Sequence, residues 1–344
     1  RGRRRRRAPS SWLQQFRWLF RRSWCQATRD RFSVVSRFVS AAGLGVVFGA
    51  IFWRMGRSEK SINSRVSLLA NVAINSGMNG CLRALQTLAA ERPAVAAERA
   101  EEGYAASAWL AGKVIAEAPG DSVFPLLFGP IIYVMTGLHL RLEKMAKFLT
   151  LVFLSSHANS ALGLMIGCLS PSQDVANILG PALIIVFLLM SGINTEIPAW
   201  LKKFEGVSTL KWGMEGMLVN EFDGLKFDAD KDSKPPGGPL KATVAVASAI
   251  FTRTFLPRRH MAPITDGRKG AIDGGEVLEK LGYDAGRPFW VQAAALATMI
   301  IGFHGTTYSA LAASRPRFQP LLSPPSLILN NEQNKLKDGK EDRA

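Results

Sequence analysis

The chain has 344 residues, 47% hydrophobic and 20% charged, with a formal net charge of +16. That length fits two soluble domains or one multi-span membrane domain, and the distribution of charge decides between them. Uncharged stretches cover residues 38–53, 66–82, 122–140, 148–173, 175–195 and 288–314. About 20 apolar residues cross about 30 Å of hydrocarbon as a helix, and a soluble core helix rarely runs so far without a charge. Six membrane spans are therefore expected, with Arg37, Arg54, Arg65 and Arg83 snorkelling at the ends of the two shortest.

In chain order, residues 1–11 form a basic linker in which Arg3–Arg7 is a dense cationic run. Such a run also suits nucleic acid, but before a first span it reads as a cytoplasmic anchor touching anionic headgroups, so no nucleic-acid partner is expected. An amphipathic segment follows it in place of a short apolar run, so no cleavable signal peptide is expected. The first residue is Arg, which points to a longer parent chain. Residues 12–29 alternate aromatic with Arg and Gln residues, as in a helix lying in the membrane interface.

Span one is expected at 32–55 and span two at 66–88. A charge-dense segment at 91–118 comes next, then spans three and four at 121–140 and 145–169. Residues 170–174 make a short turn before span five at 175–191, and span six lies at 289–312. With the basic N-terminus inside, alternate counting puts both ends in the cytoplasm, making this an integral multi-pass membrane protein. The loop at 139–147 fits that parity poorly, since Arg141, Lys144 and Lys147 face only Glu143. Residues 194–222 include a short amphipathic helix carrying Leu210, Trp212, Met214, Met217 and Leu218, too brief to span and able to dip into the membrane only where protein buries its ends. Residues 223–287 read as a mobile external insertion rich in Gly, Pro and charge. Residues 313–344 read as a polar, disordered tail.

No catalytic constellation stands out, and no enzymatic activity is expected of these residues. Of His139, His157, His260 and His304, only His139 has a carboxylate at helical spacing, Glu143 in the same charged loop, and Cys25, Cys81 and Cys168 show no metal-ligand spacing. Neither H-E-x-x-H nor G-x-x-x-x-G-K-[ST] occurs. In span two, Ser67, Asn71, Asn75, Asn79 and Arg83 recur every four residues as one polar stripe. Either these amides hydrogen-bond to neighbouring helices, or they wall a substrate path. In span one, Ala41, Gly45 and Gly49 form a small-residue face suited to close helix packing, while Pro125, Pro130 and Pro181 are expected to kink their spans. In the charged segment, Glu98, Arg99 and Glu102 lie at spacings that allow ordinary surface pairing. The alternative is a lever whose charged surface docks on a separate motor domain, because long polar helices between two spans are unusual.

Glu91, Val95, Glu98, Tyr104, Gly112-Lys113, Ala116-Glu117 and Pro119 form a pattern that resembles the first cytoplasmic loop of the G (White-type) subfamily of ATP-binding-cassette half-transporters. Ile132-Tyr133 with Gly137, and then Ile197-Pro198, Trp200-Leu201, Ser208, Lys211-Trp212, Glu215-Gly216 and Asn220-Glu221-Phe222, continue it. The resemblance implies an all-α ABC-2 type domain of six spans, with an N-terminal connecting helix, a cytoplasmic coupling-helix hairpin and a re-entrant external helix. It further implies an ATP-driven exporter of lipid, sterol or other hydrophobic small molecules, assembled from two copies and a nucleotide-binding domain that would carry ATP and Mg²⁺. Asn71, Asn75, Ser76 and Asn79 on span two, with Ile185 and Leu188 on span five, then fall where a substrate cavity is lined. Glu91, Glu98, Arg99, Glu102 and Tyr104 fall in the coupling loop. The chain departs from the pattern at Ala97, where an arginine is common, and at Ile193-Asn194, where a bulky apolar pair is common. Outside that class, a motor-independent channel or secondary transporter, or a non-functional truncated fragment, also fits the residues.

Overall fold

A computed structural model describes residues 11–29, 31–100, 104–191, 202–228 and 271–313. The Arg3–Arg7 run, Glu102, Ile193-Asn194, Ile197 to Leu201, most of the external insertion and the tail after Ala313 lie outside them. The described residues are helical except for one two-stranded ladder, which the all-α expectation did not include.

Helix α1 (Trp12–Arg29) carries an aromatic residue every fourth position, and the i, i+4 repeat stacks them. Ring centroids of Trp12, Phe16, Phe20 and Trp24 follow one another at 5.6, 6.0 and 5.9 Å. Helix α2 (Arg31–Ile51) seats its small-residue face on α4 (Ala106–Thr136): Ala41 is buried, a Cβ on Gly45 would stand 3.1 Å from Ile131, and one on Gly49 would stand 2.7 Å from the Met135 sulfur. The absence of side chains lets the two backbones approach.

Helix α3 (Glu59–Ala100) is one unbroken rod of 42 residues, roughly 60 Å long at 1.5 Å per residue. The sequence separates span two from the charged segment, yet here the helix continues through Pro93. Interior proline costs about 3 kcal/mol, and tertiary ties on the preceding turn offset it: Glu91 is held by Lys113 at 3.0 Å, and Arg92 donates to the Ser170 carbonyl at 2.6 Å. Helix α4 likewise absorbs Pro119, Pro125 and Pro130 and ends at Gly137, whose φ of 67° closes the helix in the left-handed region. The expected hairpin is therefore made from the extended ends of α3 and α4, not from separate helices.

Helix α5 (Leu142–Leu169) is the hub of the bundle, packed against α3, α4, α6 (Gln173–Leu189) and α9 (Phe289–Ala313). Where it crosses α3 the backbones nearly touch. A Cβ on Gly80 would lie 2.4 Å from the Ser156 carbonyl oxygen, and one on Gly163 would lie 2.5 Å from that of Cys81.

Helix α7 (Thr209–Phe222) is buried along almost its whole length, on every face. The amphipathic expectation is corrected: α5, α9 and α3 surround it, so even Glu215 and Glu221 are enclosed and must be paired. Strands β1 (Lys226–Asp228) and β2 (Ala271–Asp273) then pair antiparallel, Phe227 opposite Ile272, and pin both ends of the insertion beside α8 (Gly274–Lys280).

Four described helices contain segments long and apolar enough to cross a membrane: α2, α4, α5 and α9. The amides and arginine on α3 lower its hydropathy, and α6 has only 17 residues.

Candidate functional site

At the α3–α4 turn, three helices converge because their small and charged residues face one another. Helix α1 lies directly on α4 at Gly112, where a Cβ would meet the Phe20 backbone nitrogen at 3.1 Å. Leu19, Val95, Ala108, Trp109 and Leu311 fill the space beneath. Gln15 accepts from the Ala105 backbone N–H at 2.9 Å, and the Trp12 indole donates to Ser107 at 3.1 Å.

The charges are paired between helices. Arg22 on α1 donates to both oxygens of Glu98 on α3, at 2.6 and 2.8 Å. Burial works to raise the Glu98 carboxyl, but Arg22 and the neighbouring Tyr104 hydroxyl overcome it and hold the group below the usual carboxylate range. Burial, followed by the nearby carboxylate, pushes the Tyr104 hydroxyl well above its ordinary range. Lys113 is wholly enclosed between Glu91 at 3.0 Å and Glu117 at 2.7 Å. Arg99 donates to the Leu311 carbonyl of α9, and Arg92 to Ser170 beyond α5. Glu91, Glu98, Arg99 and Tyr104 thus meet in one junction. Lys113 and Arg22, which organise it, were not singled out for charge in the sequence, although the Lys113–Glu117 spacing was a signal for half of that arrangement.

The polar stripe on α3 divides. Asn71 and Asn75 donate to carbonyls one turn back, Ser67 and Asn71 respectively, at 2.8 Å each. Those bonds are local, not interhelical. Asn75 and Asn79 lie on the half-exposed side of α3, whereas Asn71 and Ser76 are buried. Arg83 ends the stripe by pairing with Asp121 at 3.3 Å and donating to the Gly120 carbonyl at 2.6 Å. On α6, Ile185 is 43% exposed while Leu188 packs into the core, so the two face different surroundings. Apart from Arg83, polar bonds that cross between helices in the bundle include Thr209 to Asn159 at 2.8 Å, Ser160 to Asp121 at 2.7 Å, and Arg65 to Glu221.

This arrangement is a charged three-helix junction joined to a helical bundle with a buried short helix. Residues 14–222 match the model of the ABC-2 type transporter membrane domain. The chain belongs to this family. ABC transporter G family member 7 of Arabidopsis thaliana is 31% identical over 90% of the chain and 38% of its own length. Protein white of Drosophila melanogaster is 26% identical over 72% of the chain and 37% of its own length. ABC transporter G family member 1 of Dictyostelium discoideum is 23% identical over 90% of the chain and 36% of its length. The chain spans less than two fifths of these relatives, and the matched portion is a G-type membrane domain with a role in transport. The family match ends at Phe222, the last residue of α7.

Proposed function

We propose that this chain is the translocation domain of an ATP-driven exporter of lipid, sterol or another hydrophobic small molecule, working as a dimer. In this reading α2, α3, α4, α5, α6 and α9 are the six spans and both ends are cytoplasmic. ATP and Mg²⁺ belong to a nucleotide-binding domain encoded beyond these residues or on another polypeptide, and hydrolysis takes place there.

The observation that carries the proposal is continuity. Helices α3 and α4 run without a break from the charged turn into the bundle, and α1 is clamped to both by Arg22–Glu98 and the Gly112 contact. A force applied at the turn moves rods, not loops. The ties from Arg92 and Arg99 carry the same displacement to the ends of α5 and α9. Coupling of this kind needs contiguous, directional contacts, and these are such contacts. In this reading Asn75 and Asn79, partly exposed on α3, and Ile185, 43% exposed on α6, belong to one open face suited to an amphiphile that must also leave. A second copy would close that face, as symmetric dimers commonly do.

The test joins the chain to a nucleotide-binding domain and measures substrate export. Glu98→Arg should abolish coupling with expression retained, and Arg22→Glu added to it should restore transport in part. Normal transport by both single reversals would remove the junction from the mechanism. Asn75→Cys should crosslink between copies, while a cysteine at Val47 should not. Absence of any Asn75 crosslink would take that face away from the dimer axis.

A further inference from the structure

A cavity of about 140 Å³ opens where α3, α4, α5 and α9 meet. Glu117 and Asp121 border it from α4, His157 and Ser160 from α5, and His304 from α9; Phe153 and Ile300 supply apolar wall. Both charged side chains that border it are carboxylates. Their cationic partners stand behind them: Lys113 on Glu117 at 2.7 Å and Arg83 on Asp121 at 3.3 Å. Glu91 shares Lys113, and Arg37 of α2 stands at Gly120, close enough to act on Arg83. No residue of α6 or α7 borders the space.

Asp121 and Ser160 satisfy each other at 2.7 Å. The imidazoles are different. His157 Nδ1 lies 3.0 Å from the Phe153 carbonyl, which can only accept, so the neutral ring carries its hydrogen there. Its Nε2 then presents a lone pair and is buried without a protein partner, as is Nδ1 of His304. Buried nitrogens left unpaired call for an explanation, and a polar space with room for a few waters supplies partners. Ionisable groups inside a membrane bundle mark function by default. Among the described residues no three of these side chains converge closely enough to hold a metal ion, and the carboxylates disfavour an anion.

We propose that this cavity is a hydrated proton-binding site in which His157 and His304 together take up one proton, with Glu117 and Asp121 as counter-charges. The proton passes from bulk water to the free ring nitrogen, the pair gains one positive charge, and no other bond is broken. Two imidazoles sharing one proton titrate as a pair.

The site is tested on the full chain in lipid nanodiscs, with ¹⁵N-histidine, from about pH 8 down to about pH 5, the range in which imidazole changes charge. Single His→Gln variants assign the four rings. The expected result is that the His157 signal moves to the protonated form within that range and that His304→Gln displaces its midpoint. Glu117→Gln should weaken proton uptake about tenfold, lowering the midpoint by about one unit. His157 and His304 remaining neutral throughout, or titrating without regard to either substitution, would overturn the proposal. Should Glu117→Gln lose its thermal unfolding transition, the His304→Gln displacement decides alone. None of these readouts depends on transport.

Discussion

Helix α3 meets its neighbours by two different physical means along one rod. Against α5 it relies on smallness: Gly80 and Gly163 let backbones approach to distances that no side chain tolerates. Toward the turn it is joined to α4 and α1 chiefly by charge, through Arg83–Asp121, Glu91–Lys113–Glu117 and Arg22–Glu98. Close packing resists any relative movement, because dispersion falls steeply with distance. Ion pairs on flexible side chains tolerate small displacements while keeping partners matched. In the proposed exporter the crossing would serve as a fulcrum and the charged end as a handle.

The largest effect should come from the enclosed lysine. Lys113→Met leaves Glu91 and Glu117 without their shared cation, and losing one partner of a buried pair costs about 3–5 kcal/mol. Thermal unfolding in nanodiscs should show it, and an unchanged melting temperature would mean that the handle is not held by charge. Next is Gly80→Val, which drives side-chain atoms into the Ser156 carbonyl; overpacking costs about 1–3 kcal/mol. Gly112→Ala should cost less, since 3.1 Å to the Phe20 nitrogen can be relieved by a slight shift of α1. Equal losses at the two glycines would erase the distinction between fulcrum and handle.

Glu98→Lys should change stability by less than about 1 kcal/mol, because both partners are about one-third exposed and solvent screens the pair. Its effect belongs in transport, as expected for Glu98→Arg. The smallest effect is on pH. A carboxyl held below its usual range contributes stability that is present above its unfolded value and lost as pH falls through the folded one. The Arg22–Glu98 tie should therefore persist at neutral pH and loosen only below the ordinary glutamate value near 4.5. Amide exchange in α1 should stay flat from about pH 7 to about pH 5 after correction for intrinsic rates. A rise in that window would assign the contact to another group.

Much of this was legible beforehand. Charge-free runs located most of the long helices, the Ala41, Gly45 and Gly49 spacing gave the face that meets α4, and the pattern from Glu91 to Pro119 covers the turn from α3 to α4. The continuity of α3 through the charged segment was not, because Pro93 signals a stop by local rules and only distant anchors at Lys113 and Ser170 carry the helix past it. The buried faces of α7 were also missed, since a periodic pattern shows which residues are apolar and cannot show that three helices surround them.

The sequence by itself determined where helices form, which of them favour hydrocarbon, and which family the chain joins, because those properties depend on near neighbours and on order along the chain. Tertiary structure alone decided partners. Asn71 and Asn75 turned to their own helix while Asn159 reached Thr209; Arg22 found Glu98, and Lys113 was sealed between two carboxylates. A polar side chain in a low-dielectric bundle bonds to whatever donor or acceptor stands within about 3 Å. Which group stands there is fixed by how distant helices cross, and helical periodicity holds no record of that.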